Sequence, residues 1–125
     1  MVKKKGTILI IEDETALRKA LANKLSKEGF IILEGLDGED GLAKAIESKP
    51  DLILLDIVMP KKDGMTVLEE LRKDSWGKNA QVMFLTNLSD PHKEEEAKKF
   101  NVEHFLVKTD WSLEDLLKRI QTILK

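Results

Sequence analysis

The chain has 125 residues, 42% hydrophobic and 35% charged, with a net charge of −2 and no cysteine. This length fits one domain, residues 1–125, with enough core to fold without a staple and little left for a second domain. The charge balance argues against direct nucleic-acid binding, the lack of cysteine excludes disulfides and thiolate metal sites, and no apolar run approaches the roughly 20 residues that span a bilayer.

The basic run at residues 3–5 reads as a solubilising end. The apolar stretch after it, Thr7 to Ile11, is too short and too soon followed by acids to be a signal core, so a cytoplasmic protein is expected. Thr7-Ile8-Leu9-Ile10-Ile11 is instead a first strand, apolar without alternation, as in a parallel sheet covered on both faces. Leu17, Ala20, Leu21 and Leu25 make a helical stripe closed by Gly29. Residues 30–33 form a second strand, Asp37-Gly38 a turn, and Leu42, Ala43 and Ile46 a second helix. Pro50-Asp51 opens a third strand at 52–55. Asp63-Gly64 precedes a third helix with Val67, Leu68 and Leu71 inward. Residues 81–85 make a fourth strand. Asp90-Pro91 reads as N-cap plus N1 proline of a very polar fourth helix with only Ala97 and Phe100 apolar. A fifth strand at 104–107 precedes Ser112 and Asp115, spaced as a capping box, and a last helix carrying Leu113, Leu116, Leu117, Ile120 and Leu124. Five β-α units in succession predict an α/β fold, a doubly wound sandwich on a parallel sheet.

Ligand sites of such sheets lie outside the carboxyl ends of the strands. After the first strand stand Glu12 and Asp13; Asp56 follows the third, Thr86 the fourth and Lys108 the fifth. The second ends in Glu34 and Gly35, with no special chemistry. Adjacent strand tips would gather three carboxylates, a hydroxyl and an ammonium. Three carboxylates in one crevice repel unless a cation joins them, and an all-oxygen set retaining waters suits Mg²⁺. A carboxylate beside Mg²⁺ and a lysine can attack a phosphoryl group and become an acyl phosphate. Read singly, the same residues have plainer roles: Asp13 as a helix cap, Thr86 as a turn hydroxyl, Lys108 as an exposed strand-end lysine.

As a set, Glu12-Asp13, Asp56-x-x-Met59-Pro60-x-x-Asp63-Gly64, Thr86 and Lys108 resemble the receiver domains of two-component response regulators, from about Thr7 to the end of the chain. The resemblance implies a flavodoxin-like (βα)5 sandwich with strand order 2-1-3-4-5. It also implies phosphorylation of Asp56 by a histidine kinase or histidine phosphotransfer protein. Asp13, Asp56 and the Val58 carbonyl would then hold Mg²⁺, with Glu12 outer-sphere. Thr86 and Lys108 would hold the phosphoryl oxygens, and Phe105 would occupy an aromatic switch position. The fourth helix, fifth strand and fifth helix would form the face that docks a downstream protein.

Several positions depart from that pattern. Thr109 stands where the family usually has proline after the lysine, and a cis bond before a non-proline costs about 3 kcal/mol. Asn87 replaces a small residue, and Val58 and Leu88 are apolar where a polar side chain would orient water, so slow loss of the phosphoryl group is expected, with Leu88→Glu speeding it. Two other readings compete: a degenerate receiver that only binds proteins, and a Mg²⁺-dependent phosphohydrolase with an aspartyl nucleophile. The second needs an acid two residues after Asp56, where Val58 stands.

Overall fold

The computed structural model describes residues 6–86, 91–102, 104–108 and 111–124. Among these residues, five strands alternate with five α-helices: β1 Thr7–Ile11, α1 Thr15–Lys27, β2 Ile31–Gly35, α2 Gly38–Ser48, β3 Leu52–Leu55, α3 Gly64–Lys73, β4 Val82–Thr86, α4 Pro91–Lys99, β5 His104–Val107 and α5 Leu113–Ile123. The strands form one parallel sheet in the order β2-β1-β3-β4-β5.

Alternate side chains of each strand feed opposite faces, which is why the central strands are apolar throughout. Leu9, Ile11, Ile53, Leu55 and Phe84 pack with Ala45, Val67, Leu68, Leu71 and Ala97 on one face. Ile8, Ile10, Leu52, Leu54, Met83 and Leu85 pack with Leu21, Leu25, Leu116, Leu117 and Ile120 on the other. Helices α2, α3 and α4 therefore cover one side of the sheet, and α1 and α5 the other. The weakly apolar α4 contributes Ala97 as its buried residue, in line with its polar sequence.

The helix ends follow their local chemistry. Asp37 accepts from Asp40 N–H and Asp63 from Thr66 N–H, each at 2.8 Å. Ser112 and Asp115 form a reciprocal capping box, with aspartate doing what glutamate usually does. Gly29, after α1, has φ 101°, a conformation that glycine adopts without strain. The proposed N-cap of α4, Asp90, lies outside the described residues.

The structure differs from expectation in small ways. β2 is offset toward the site end, running to Gly35, because Glu12 N–H extends the β1 pairing by donating to Gly35 O at 3.2 Å. Asp13 is not the cap of α1: Glu14 holds that position, without a side-chain capping bond. A 3₁₀ turn at Gly77–Asn79, absent from the periodicity, is held by Asp74 Oδ2, which accepts from Trp76 and Gly77 N–H. Trp76 packs half-buried beside it.

Candidate functional site

The carboxyl ends of β1, β3, β4 and β5 meet because those strands are neighbours in the sheet. They surround an open cleft of about 340 Å³ lined by Glu12, Asp13, Glu14, Asp56, Val58, Thr86 and Lys108. All six site residues named from the strand tips and the Asp56 segment line it. Phe105 does not; it lies in the middle of β5.

The carboxylates of Glu12, Asp13 and Asp56 each present an oxygen within 4.8 Å of the others. Glu12 and Asp56 are buried, 3% and 6% exposed, whereas Asp13 is exposed. Buried acids are rare without partners, and these have them. Asp56 Oδ1 accepts from Ile57 N–H at 2.7 Å, which fixes the side chain against its own loop. Glu12 Oε2 accepts from Glu14 N–H at 3.0 Å, which ties the acid to the entry of α1. Lys108 Nζ donates to Glu12 Oε1 at 2.5 Å and to Asp56 Oδ2 at 3.3 Å. Lys108 is thus drawn into the cleft, only 11% of its side chain exposed, rather than standing free at a strand end.

The electrostatics reflect a surplus of negative charge. Burial raises the Glu12 pKa, aided by the nearby Asp56 charge, against the bonds from Lys108 and Glu14 N–H. Burial works to lower the Lys108 pKa, but the Glu12 bond and the charges of Asp56 and Glu12 outweigh it, so the ammonium is held above its ordinary range. One ammonium between two buried carboxylates, with a third at the rim, leaves room for further positive charge. The donor set is all oxygen, hard and partly open to water, which fits Mg²⁺.

The loop after β3 is shaped by a close approach. Gly64 N–H donates to Ile57 O at 2.8 Å, and a Cβ at Gly64 would lie 2.1 Å from the Asp56 carbonyl oxygen. Only glycine lets α3 start this near to Asp56. Val58 stands at the cleft with its side chain 65% exposed. Thr86 ends β4 and is buried. Phe105 is half-buried, its ring 5.6 Å from that of Phe84. Asn87, Leu88 and Thr109, and with Thr109 the Lys108–Thr109 bond, lie outside the described residues.

This arrangement coincides with a known one. The family model of the response regulator receiver domain matches residues 8–121. The chain belongs to that family. Among its relatives, a probable transcriptional regulator ycf27 of Guillardia theta is 35% identical over 97% of this chain and 46% of its own length. Chemotaxis protein CheY4 of Vibrio cholerae superposes with a TM-score of 0.86 at 29% identity, over 94% of this chain and 97% of that one. CheY of Borrelia burgdorferi, in a complex with CheX, BeF₃ and Mg²⁺, superposes with a TM-score of 0.85 at 29% identity, over 95% of this chain and 89% of that chain. The receiver spans about half the length of the curated transcriptional regulators it matches. No helix among its described residues is long and apolar enough to cross a membrane.

Sequence reasoning passed over the end of β2. Glu34 there accepts from Arg18 Nε at 3.0 Å and Lys19 Nζ at 3.1 Å, and Arg18 Nη1 donates to Glu12 O at 2.9 Å. The available signal was an arginine within the apolar α1 stripe, next to Leu17.

Proposed function

We propose that this receiver accepts a phosphoryl group on Asp56 in a Mg²⁺-dependent reaction, from a histidine kinase or a histidine phosphotransfer protein on the cytoplasmic side. The observation that carries the reading is the convergence of Glu12, Asp13 and Asp56 within 4.8 Å, with Lys108 Nζ 3.3 Å from Asp56 Oδ2. Residues 1–125 are read as one receiver domain.

The residues that would hold Mg²⁺ are Asp13, Asp56 and the Val58 carbonyl, with Glu12 acting through water. The ion, when bound, neutralises phosphoryl oxygens during transfer. A carboxylate oxygen of Asp56 attacks phosphorus; the O–P bond forms as the P–N bond to the donor histidine breaks, and the imidazole keeps that electron pair. Lys108, already inside the cleft, supplies charge to the incoming phosphoryl oxygens, and the Thr86 hydroxyl can donate to them. The BeF₃ and Mg²⁺ in the Borrelia relative support this assignment by analogy. Movement of Thr86 toward the phosphoryl group, with Phe105 turning inward, would alter the face made by α4, β5 and α5 and so its downstream partner. The apolar Val58, two residues after Asp56, disfavours a phosphohydrolase acting on external substrates.

Incubation with acetyl phosphate and Mg²⁺ followed by intact mass tests the proposal. A single phosphoryl adduct is expected, and none should form when Mg²⁺ is chelated beforehand or in Asp56→Asn. Absence of an adduct with acetyl phosphate and with phosphoramidate would favour a degenerate receiver that works by protein binding alone.

A further inference from the structure

We propose that Arg18 is a positioning residue for the Mg²⁺ site, acting through the Glu12 carbonyl; this rests on the reading of Asp13 and Asp56 as ligands. Arg18 is a buried cation, 6% exposed, on a helix face otherwise given to leucine. A buried guanidinium adds little net stability over an apolar side chain of similar size, so its presence calls for another reason. Its fork supplies one. Nη1 donates to Glu12 O at 2.9 Å while Nε donates to Glu34 Oε1 at 3.0 Å.

Glu34 is itself anchored. Its second carboxylate oxygen accepts from Lys19 Nζ at 3.1 Å, and its backbone carbonyl accepts from Lys44 Nζ at 2.6 Å. Glu12 is therefore gripped by β2 on both sides. Its N–H pairs with Gly35 O at 3.2 Å, and its carbonyl is tied through Arg18 to Glu34. The Glu12 carbonyl shares a planar peptide unit with the Asp13 nitrogen. Fixing that plane fixes the direction in which Asp13, exposed and with no hydrogen bond to its own carboxylate among the described residues, leaves the strand. Lysine lacks the planar fork that holds these two bonds at a fixed angle from one rigid group.

Isothermal titration with Mg²⁺ tests the inference without reference to phosphoryl transfer. Outer-shell partners of metal ligands typically change affinity by about 10–100-fold, so Arg18→Met is expected to weaken Mg²⁺ binding about tenfold, and Arg18→Lys by less. Arg72→Met is the control. Arg72 makes equally short bonds to the carbonyls of Phe100, Gly77 and Ala80, at the opposite end of the sheet. Its loss should lower stability and leave the Mg²⁺ constant unchanged. Glu34→Ala removes the anchor while keeping the Arg18 side chain, keeps the test open if Arg18→Met fails to fold, and should weaken binding several-fold. A Mg²⁺ constant within about twofold of the unsubstituted chain in both Arg18→Met and Glu34→Ala overturns the inference. So does an equal loss in Arg72→Met, which would mark the effect as general destabilisation. Failure of the unsubstituted chain to bind Mg²⁺ at all overturns the proposed function, and this inference with it.

Discussion

The ammonium of Lys108 donates to Glu12 across 2.5 Å, both side chains nearly removed from solvent at 11% and 4% exposure. The lysine proposed to hold the phosphoryl oxygens is thus held, before any phosphate arrives, by the acid with no place directly on the metal. Removing it has two effects of opposite sign. Lys108→Met leaves two buried carboxylates facing each other without an internal cation, and breaking a buried pair from one side costs about 3 kcal/mol. It also removes a competitor for cations from the cleft. Urea unfolding should show the loss of stability, and Mg²⁺ should restore part of it. Titration should give tighter Mg²⁺ binding than in the unsubstituted chain, while phosphorylation of Asp56 slows. Weaker Mg²⁺ binding in this variant would contradict the picture of an anionic site short of positive charge.

The loop carrying Asp56 depends on the missing side chain of Gly64. A Cβ there would sit 2.1 Å from the Asp56 carbonyl and 2.8 Å from Ile57 Cα, both backbone atoms that cannot step aside alone. Overpacking of this kind costs about 1–3 kcal/mol. Gly64→Ala should lose about that much in urea unfolding and should slow acetyl phosphate labelling as well, because relief of the clash moves the residue that bears the nucleophile. Alanine at unchanged labelling rate would show that the loop adapts away from Asp56.

Asp40 offers a pH test away from the cleft. The Leu36 N–H, bonded to its carboxylate at 2.9 Å, lowers its pKa, and Lys44 adds to the effect. A depressed folded-state pKa contributes stability above the unfolded value, about 3.9, which is lost as pH falls through the lower folded value. Stability measured between pH 5 and the acid limit (roughly pH 2, below the folded carboxylate range) should therefore fall less steeply in Asp40→Asn than in the unsubstituted chain. Parallel curves would mean that the Leu36 bond survives protonation.

The central strands and the tips they carry were legible because each is locally encoded. Residues 52–55 are apolar throughout, and the acid that ends them is conspicuous there. The same holds for Thr86 at the end of β4 and Lys108 after β5, and adjacency of the strands then brings them together. The end of β2 was illegible for the opposite reason. Glu34 looks like any edge-strand acid until α1 lays Arg18 against it, and that contact joins residues 16 apart in sequence through the crossover. The 3₁₀ turn after α3 is similar. Asp74 closes it locally, but Arg72 ties it to the rest of the fold by reaching the carbonyls of Gly77, Ala80 and Phe100, a tertiary arrangement with no period in the chain. Local pattern specifies the elements and their ends, whereas long side chains that bind backbone across elements declare themselves only in three dimensions.

Val58 governs the last expectation, the lifetime of the phosphoryl group. Its side chain is apolar, 65% exposed and at the mouth of the same cleft as Asp56. Hydrolysis of an acyl phosphate needs a water held in line with the O–P bond, and an isopropyl group can neither donate to that water nor accept from it. A carboxamide can do both. Val58→Asn, exposed enough to leave the fold undisturbed, should shorten the half-life of phosphorylated Asp56 by about tenfold, less than the roughly 10²–10⁴-fold of a full general acid or base, because a carboxamide orients the water without taking its proton. The readout is the decay of the phosphoryl adduct by intact mass after removal of the small-molecule donor. An unchanged half-life would place control of hydrolysis elsewhere in the cleft, with the Mg²⁺ ligands or Lys108 rather than with the side chain at its rim.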